Sequence, residues 1–262
     1  MDYLKGKVLL ITGASGIAAA TVKLAVAAGA QVYYAGLEEQ ECLRLRKAVG
    51  ASEQTDFRVC DLTEADNASA LISACVDRFG QLDALFNVAG TSGRKFGDGP
   101  LETCTEAGWS ETLRANLDIQ YRMCREAIGA MMQSSADAYG QRGVILNMAS
   151  VLGLFPEPLH FSAVAYATAK GAIVTMTRHI AAFYASSGIR VNAIAPGLTA
   201  TKMSARATGS AEILAFIKEK QPLIKDVIQA EDVASVALFL LSSSSRIITG
   251  QTIVADAGWS IS

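Results

Sequence analysis

The sequence predicts an α/β fold in which one doubly wound, mostly parallel sheet of about seven strands carries helices on both faces. Short apolar runs alternate regularly with longer alanine-rich or amphipathic segments, which is the pattern of successive βαβ units. The first apolar run ends at a glycine turn that opens a helix. No linker, repeat or low-complexity block interrupts the 262 residues, so we expect a single domain over residues 1–262.

Continuous apolar runs bounded by turn residues indicate the strands, because a parallel sheet covered by helices buries both sides of each strand. The run that ends at the glycine turn is the clearest example. The strands are expected at Lys7–Thr12, Gln31–Ala35, Phe57–Val59, Leu82–Asn87, Gly143–Met148, Arg190–Ala195 and Thr252–Ala255.

The longer segments between these runs indicate the helices. The first stops at Gly29, a residue type that is common just after a helix C-terminus. A loop rich in glycine and charge, Thr91–Pro100, separates the fourth strand from the longest helical segment. The helices are expected at Ile17–Ala28, Glu38–Val49, Glu64–Phe79, Glu106–Gln133, Ala163–Tyr184 and Ala230–Leu241.

Composition narrows the function classes. The chain is 51% hydrophobic and 18% charged with a formal net charge of -2, and it has no basic run, so we expect no nucleic-acid partner. Its apolar stretches are too short or too often charged to cross a membrane. Met1–Lys7 leads directly into a strand, so no signal peptide is expected. Five scattered cysteines and two histidines indicate no disulfide framework and no metal site, which favours a cytoplasmic location.

Tyr166 and Lys170 stand four residues apart in an alanine-rich helical segment, so their side chains leave the same helix face. A free phenol has a pKa of about 10, and a neighbouring ammonium group favours the phenolate. The pair could therefore exchange protons with a hydroxyl or carbonyl group. The same spacing is also common on the exposed face of an amphipathic helix, so the pair alone does not decide between the two readings.

The first strand-to-helix turn, Thr12–Ala18, consists largely of small residues. Small residues let the backbone approach a pyrophosphate, and the following helix N-terminus offers N–H groups and the positive end of its dipole. An ordinary glycine turn is the alternative. The strand before it and the helix after it favour dinucleotide binding.

Several spaced motifs together make the chain resemble the short-chain dehydrogenase/reductase family over nearly its whole length. They are Thr12-Gly13, Cys60-Asp61-Leu62, Asn87-Val88-Ala89-Gly90, Asn116, Asn147-Met148-Ala149-Ser150, Tyr166 with Lys170, Pro196-Gly197 through Thr201, and Ile248-Thr249-Gly250-Gln251. Each motif alone is weak, but they occur in order and at the ends of expected elements. The resemblance implies a Rossmann fold and a hydride transfer between a nicotinamide cofactor and a secondary alcohol or ketone.

The resemblance also implies residue roles. Tyr166 would donate the proton in carbonyl reduction and accept it in alcohol oxidation, and Lys170 would lower the tyrosine pKa and bind the nicotinamide ribose. Ser150 would hold the substrate oxygen, and Asn116 would support a water in a proton relay. The cofactor would contact Gly13, Ser15, Gly16, Ile17, Leu37, Asp61, Leu62, Asn87, Ala89, Gly90, Tyr166, Lys170, Pro196, Gly197, Thr199 and Thr201.

Two departures from the family pattern concern loops. The glycine turn is one residue shorter than usual, and Ala18 replaces its last glycine. We expect cofactor binding to survive, because alanine is the smallest replacement at a helix–strand contact. The spacing from Ser150 to Tyr166 is about three residues longer than the commonest one. The extra length falls in Leu154–Phe161, which is either an apolar wall of the substrate pocket or a surface excursion.

A third departure concerns the choice between NAD and NADP. Gly36 stands where NAD-type members often carry aspartate, while Leu37 stands where NADP-type members carry a phosphate-binding arginine. Glu38 and Glu39 follow, and their charge disfavours a ribose phosphate. The sequence therefore favours NAD and leaves NADP as the alternative.

The substrate itself is not set by these motifs. Ser204–Val227, the segment that covers the substrate in this family, mixes apolar residues with three lysines. A 3-oxoacyl reductase and a sugar, polyol, steroid or xenobiotic dehydrogenase all remain open. The resemblance further implies a homo-oligomer, commonly a tetramer. The altered glycine turn leaves a second class open, a non-catalytic dinucleotide-binding or sensor subunit.

Overall fold

Seven parallel strands form one sheet in the part of the chain that the computed structural model describes, residues 4–50 and 53–262. Their order is β3-β2-β1-β4-β5-β6-β7, and every neighbouring pair is parallel. The predicted fold class is confirmed, and all predicted strands are present with small shifts at their ends. The strands are β1 (Val8–Thr12), β2 (Gln31–Gly36), β3 (Thr55–Val59), β4 (Ala84–Asn87), β5 (Gly143–Met148), β6 (Ile189–Pro196) and β7 (Thr252–Ala255).

The predicted helix Glu106–Gln133 requires a correction. It divides into α4 (Glu106–Leu113), a π-helical turn at Arg114–Asp118, and α5 (Ile119–Gln133). Two helices after β6, in the segment thought to cover the substrate, were not predicted individually: α7 (Ala205–Thr208) and α8 (Ala211–Lys220). The remaining helices are α1 (Gly16–Ala27), α2 (Glu39–Val49), α3 (Ala65–Phe79), α6 (Val164–Tyr184) and α9 (Ala230–Leu241).

Alternate side chains of the strands face two separate apolar layers. Leu9 and Ile11 of β1 belong to the cluster that includes residues of α1, α2 and α9. Val8 and Leu10 of the same strand belong to the cluster that includes residues of α3, α5 and α6. Burial on both faces explains why these strands read as continuous apolar runs.

The reversal of strand order places a crevice beyond the carboxyl ends of β1 and β4. These strands are neighbours, with Thr12 opposite Asn87, although β2 and β3 lie between them in the sequence. The Thr12 hydroxyl oxygen accepts hydrogen bonds from the Val88 and Ala89 N–H groups at 2.9 and 3.0 Å, which joins the two strand ends. Ligands of doubly wound sheets bind in such crevices.

Two features of the fold concern the sequence expectations about membranes and cysteines. No helix within residues 4–50 and 53–262 combines the length and apolar character needed to cross a membrane. All five cysteines are free thiols. Met1–Tyr3, on which part of the expectation about a signal peptide rests, lie outside the described residues.

Candidate active site

The glycine turn after β1 is tightly packed. Gly13 and Gly16 have φ angles of 111° and 54°, a region that favours glycine. A methyl group at Gly13 would lie 3.0 Å from Cβ of Ala18, and one at Gly16 would lie 2.9 Å from Cγ2 of Thr201. The Ala18 methyl group, which replaces the usual glycine, is therefore accommodated because Gly13 has no side chain. The segment after β6 closes over the start of α1 through Thr201.

Tyr166, Lys170 and Ser150 lie together at the carboxyl end of β5. Ser150 is 7% exposed and shares a hydrogen bond with the Tyr166 hydroxyl. Lys170 is 2% exposed, and its ammonium group donates to the Met148 carbonyl at 2.9 Å and lies over the Tyr166 ring at 5.4 Å from its centroid. Three of the four side chains to which the resemblance assigns catalytic roles are thus brought into one cluster.

Burial is the main influence on the electrostatics of this cluster. Burial raises the pKa of Tyr166, and the hydrogen bond with Ser150 opposes this effect. Burial also lowers the pKa of Lys170 to about 7. The Lys170 nitrogen faces the ring and the Met148 carbonyl, and burial disfavours its charge, so the lowering of the tyrosine pKa by Lys170 stays a prediction. The hydrogen bond with Ser150 favours the phenolate in this arrangement.

Asn116 lies in the π-helical turn and is fully buried. Its amide nitrogen donates to the carbonyls of Thr91 and Thr112, both at 2.9 Å, and its oxygen accepts from the Thr91 N–H at 3.3 Å. A methyl group at Gly90 would lie 2.5 Å from that oxygen and 3.7 Å from the Lys170 nitrogen. Asn116 therefore fixes the loop after β4 beside Lys170. Single π turns are frequent at functional sites.

The residues predicted to contact adenosine divide into two groups. Leu37 is 63% exposed and Asp61 is exposed, and both follow strand ends on the same edge of the sheet as the glycine turn. Leu62 is 6% exposed and packs in the core with α3 and α5. The Asn87 side chain is fully buried and donates to the Asn147 amide oxygen at 2.9 Å. The side chains of Leu62 and Asn87 therefore face the interior, so a contact with adenosine would involve their backbone groups, and both contacts stay predictions.

Neighbouring atoms leave no space for a side chain at Gly36. A methyl group there would lie 2.5 Å from the Cys42 sulfur and 2.9 Å from Cβ of Ala14. An aspartate at this position would not fit without displacing α2 or the glycine turn. The nearest acidic group that contacts the turn is Glu41 of α2, which hydrogen-bonds to Ser15 and pairs with Lys202.

A cavity of about 320 Å³ joins the glycine turn to the tyrosine cluster. Of the predicted residues, Leu37, Asp61, Leu62, Asn87 and Asn116 do not line it. Those that do line it are Gly13, Ser15, Gly16, Ile17, Ala89, Gly90, Ser150, Tyr166, Lys170, Pro196, Gly197, Thr199 and Thr201.

The two readings of Leu154–Phe161 each describe part of that loop. Phe161 lines the cavity and packs against Trp259 at 5.6 Å between ring centroids. Leu159 is 82% exposed and lies on the surface. Glu157 is 7% exposed, and its carboxylate accepts from the Leu159 and His160 N–H groups at 3.1 and 2.8 Å. Glu157 thus stabilises the turn that precedes Phe161, and the Phe161 side chain lies at the cavity.

Asp98 is a site residue that the sequence interpretation missed. It is 5% exposed, and its two carboxylate oxygens each accept a backbone N–H at 3.0 Å, one from Ala165 and one from Tyr166. These N–H groups belong to the first turn of α6, so they have no acceptor within the helix itself. A negative charge at this end also interacts favourably with the helix dipole. The position of Asp98 in a glycine-rich loop was the available signal, but its partner helix is far away in the sequence.

Replacing Asp98 by alanine is expected to lower the free energy of unfolding by about 2–3 kcal/mol, because two buried N–H groups lose a charged acceptor. Amide hydrogen exchange at Ala165 and Tyr166 should accelerate more than in the rest of α6. Chemical denaturation and exchange mass spectrometry measure both effects. Asp77→Ala is the matched control, since Asp77 is exposed on α3. Equal exchange rates in wild type and Asp98→Ala would contradict this role.

Comparison with known proteins agrees with this geometry. A family model described as enoyl-(acyl carrier protein) reductase matches residues 11–260. The chain belongs to the short-chain dehydrogenase/reductase family. It is 32% identical over 261 residues to a 2,5-dichloro-2,5-cyclohexadiene-1,4-diol dehydrogenase of Sphingobium indicum, with 99% of each chain covered.

Two further relatives show how widely the named activities vary in this family. The chain is 32% identical to the 3-oxoacyl-(acyl-carrier-protein) reductase FabG of Thermotoga maritima, covering 97% of this chain and 98% of that protein. It is 26% identical to a glucose/ribitol dehydrogenase of known structure from Brucella melitensis, with a TM-score of 0.88 over 99% of both chains. The names are those of dehydrogenases and reductases, so membership indicates oxidoreductase chemistry with a nicotinamide cofactor.

Proposed function

We propose that this protein transfers a hydride between a nicotinamide cofactor and a secondary alcohol or ketone. The observation that carries the proposal is the cluster of Tyr166, Ser150 and Lys170 on a cavity that continues to a glycine turn. A binding protein without catalysis has no need of a phenol, a hydroxyl and a buried amine at one point of that cavity.

The residues fit a dinucleotide. Gly13 and Gly16 leave the backbone open at the start of α1, where N–H groups and the helix dipole favour a pyrophosphate. Pro196, Gly197, Thr199 and Thr201 border the same cavity and would hold the nicotinamide end. When bound, the nicotinamide would supply or accept the hydride. The protein then has two tasks, to orient the substrate carbon and to move one proton.

Tyr166 is the proton donor in reduction and the acceptor in oxidation under this proposal. Ser150 donates a hydrogen bond to the substrate oxygen, whose negative charge increases as the carbonyl is reduced. Lys170, buried beneath the tyrosine ring, would hold the nicotinamide ribose. Asn116 holds the loop that carries Gly90 and would support the water through which Lys170 exchanges protons.

NAD is the cofactor that the residues around β2 favour, and NADP is the alternative. Gly36 is too crowded to be replaced by a ribose-binding aspartate, and the exposed Leu37 offers no positive charge to a phosphate. The charge of Glu41 is paired with Lys202, but Glu38 and Glu39 at the start of α2 have no ion-pair partner within residues 4–50 and 53–262. Their negative charge would repel a second phosphate group close to the ribose.

A panel of ketones and secondary alcohols, followed by nicotinamide absorbance with each cofactor, tests this proposal. We expect turnover of at least one pair of alcohol and ketone, with kcat/KM higher for NADH than for NADPH. Turnover with a strong NADPH preference would overturn the cofactor assignment alone. Calorimetric binding of neither cofactor would overturn the proposed function.

The proposal extends to the organisation of the protein. We infer one dinucleotide-binding and catalytic domain over residues 1–262, a cytoplasmic location and a homotetramer. Helices α5 and α6, which flank the site, support the tetramer because they expose Tyr121 and Phe183, at 51% and 75%. Aromatic side chains are enriched in protein–protein interfaces.

A further inference from the structure

Two arginines from separate loops line the same cavity as Ser150 and Tyr166. Arg94 belongs to the short helix Arg94–Phe96 that follows β4, and Arg206 belongs to α7 after β6. Both side chains are exposed at the cavity. Neither was identified from the sequence, because nothing in the two segments indicates that they meet.

These guanidinium groups lack acidic partners. Within residues 4–50 and 53–262, no carboxylate lies within ion-pair distance of Arg94 or Arg206. Partial burial and then the positive charge of Arg94 lower the pKa of Arg206, so the two cations are close enough to disfavour each other. Lys202, a third cation at the cavity, is already paired with Glu41. An uncompensated pair of positive charges at a cavity favours an anionic ligand.

Arg206 is held in place by groups other than an anion. One of its terminal nitrogens donates to the His160 carbonyl at 2.9 Å, and its guanidinium carbon lies 5.8 Å from the centroid of the Phe161 ring. These contacts use one donor and one face of a group that has five N–H donors. The remaining donors are free to form the two parallel hydrogen bonds that a carboxylate accepts.

The wall next to these arginines is apolar. Phe161 and Trp259 pack edge to face, and Leu152 and Ala207 line the same cavity. The only hydrogen-bonding side-chain group of these four residues is the Trp259 indole N–H, which is buried and has no partner within the described residues. This wall suits a substrate whose body is hydrocarbon or aromatic.

We propose that the substrate is a keto acid or hydroxy acid with an apolar body, whose carboxylate binds Arg94 and Arg206 while its reacting oxygen lies at Ser150 and Tyr166. The inference rests on the proposed function and narrows its substrate class. It assigns the arginines to the substrate and not to the cofactor, whose pyrophosphate would lie at the glycine turn.

Three keto acids and their methyl esters form the test: phenylglyoxylate, benzoylpropionate and benzoylbutyrate, whose carboxylates stand at increasing distances from the ketone. Binding is measured by calorimetry with saturating oxidised cofactor, with which a ketone cannot be reduced, and turnover with reduced cofactor is measured separately. At least one acid should bind about 10-fold more tightly than its ester, which is the size of one charge-assisted hydrogen bond.

Arg94→Gln and Arg206→Gln should each remove about this factor for the acid and change ester binding less than about twofold. Lys218→Gln, an equal loss of charge at an exposed position outside the cavity, should change neither. Cofactor affinity should be the same in all four proteins. A loss of cofactor affinity in the arginine variants would assign them to the cofactor and overturn the inference.

The two proposals fail in different ways. If no acid binds more tightly than its ester, whether or not either binds, the carboxylate site is wrong and turnover of another ketone can still support the proposed function. If an acid binds through the arginines but no ketone is reduced with either cofactor, the anion site stands and the proposed function is wrong.

Discussion

Replacing Tyr166 by phenylalanine is expected to lower kcat by between about 10²-fold and 10⁴-fold, the usual contribution of a positioned acid or base. Cofactor affinity should change little, because the phenylalanine ring still fills the space beneath which Lys170 lies. Steady-state rates in both directions and calorimetric binding of the cofactor measure the two quantities. Tyr139→Phe is the matched control, since Tyr139 is 64% exposed and does not line the cavity.

The pH dependence gives a second, independent signature of the same residue. Alcohol oxidation needs the phenolate to accept a proton, so its rate should rise with pH towards the tyrosine pKa, which burial raises. Ketone reduction needs the protonated phenol, so its rate should stay level and fall only as pH passes that pKa. Both limbs should disappear in Tyr166→Phe. Residual turnover with an unchanged pH profile would show that another group moves the proton.

The same variant separates the enzyme from the alternative, a non-catalytic sensor. A sensor binds the dinucleotide with or without the hydroxyl group and turns over no ketone or alcohol in either form. An enzyme binds in both forms and loses turnover in only one. Cofactor binding without turnover in wild type, over the whole panel, would favour the sensor.

The strands and the motif order could be predicted because their signals are local. A run such as Val8–Thr12 is apolar at every position, and only a strand buried on both faces needs that pattern. The glycine turn is likewise set by adjacent residues. Tyr166 and Lys170 share a helix face through a spacing of four, which holds wherever the helix packs.

Other features depend on packing between distant segments. The π turn at Asn116 has the same apolar pattern as an α-helix and is stabilised by a loop that is remote in the sequence. Arg94 and Arg206 lie on different loops, and Asp98 caps a helix that begins well after it. The rise in the Tyr166 pKa that burial causes could not be predicted for the same reason, because the spacing rule contains no information about burial.

Lys170→Met is expected to make the cofactor-free protein more stable than wild type near pH 6. Burial lowers the pKa of Lys170 from 10.5 to about 7 in the folded state. At pH 6 the wild-type chain must keep a protonated amine buried, whereas methionine fits an apolar site without charge. The Met148 carbonyl keeps a partner in the variant, because the Gln120 amide donates to it at 3.0 Å.

The sign of the pH dependence follows from proton binding. Between pH 7 and pH 10.5 the unfolded wild-type chain holds a proton on Lys170 that the folded chain releases, so the free energy of unfolding rises with pH in this window. Below pH 7 both states are protonated and the cost of burying the charge is at its full size. Above pH 10.5 neither state is protonated and the cost has vanished.

The stability advantage of Lys170→Met should therefore shrink by roughly 2–3 kcal/mol between pH 6 and pH 9. Urea denaturation of both proteins across this range measures the difference, in which the titrations of other groups cancel. Lys218→Met, at an exposed lysine, should run parallel to wild type. If the unfolding free energies of Lys170→Met and wild type ran parallel across this pH range, Lys170 would titrate near its ordinary pKa. The buried amine could then act as a permanent cation beside Tyr166. A converging pair of curves, together with lost turnover in the variant, would identify Lys170 as a residue kept at a cost to stability for its role beside the phenol.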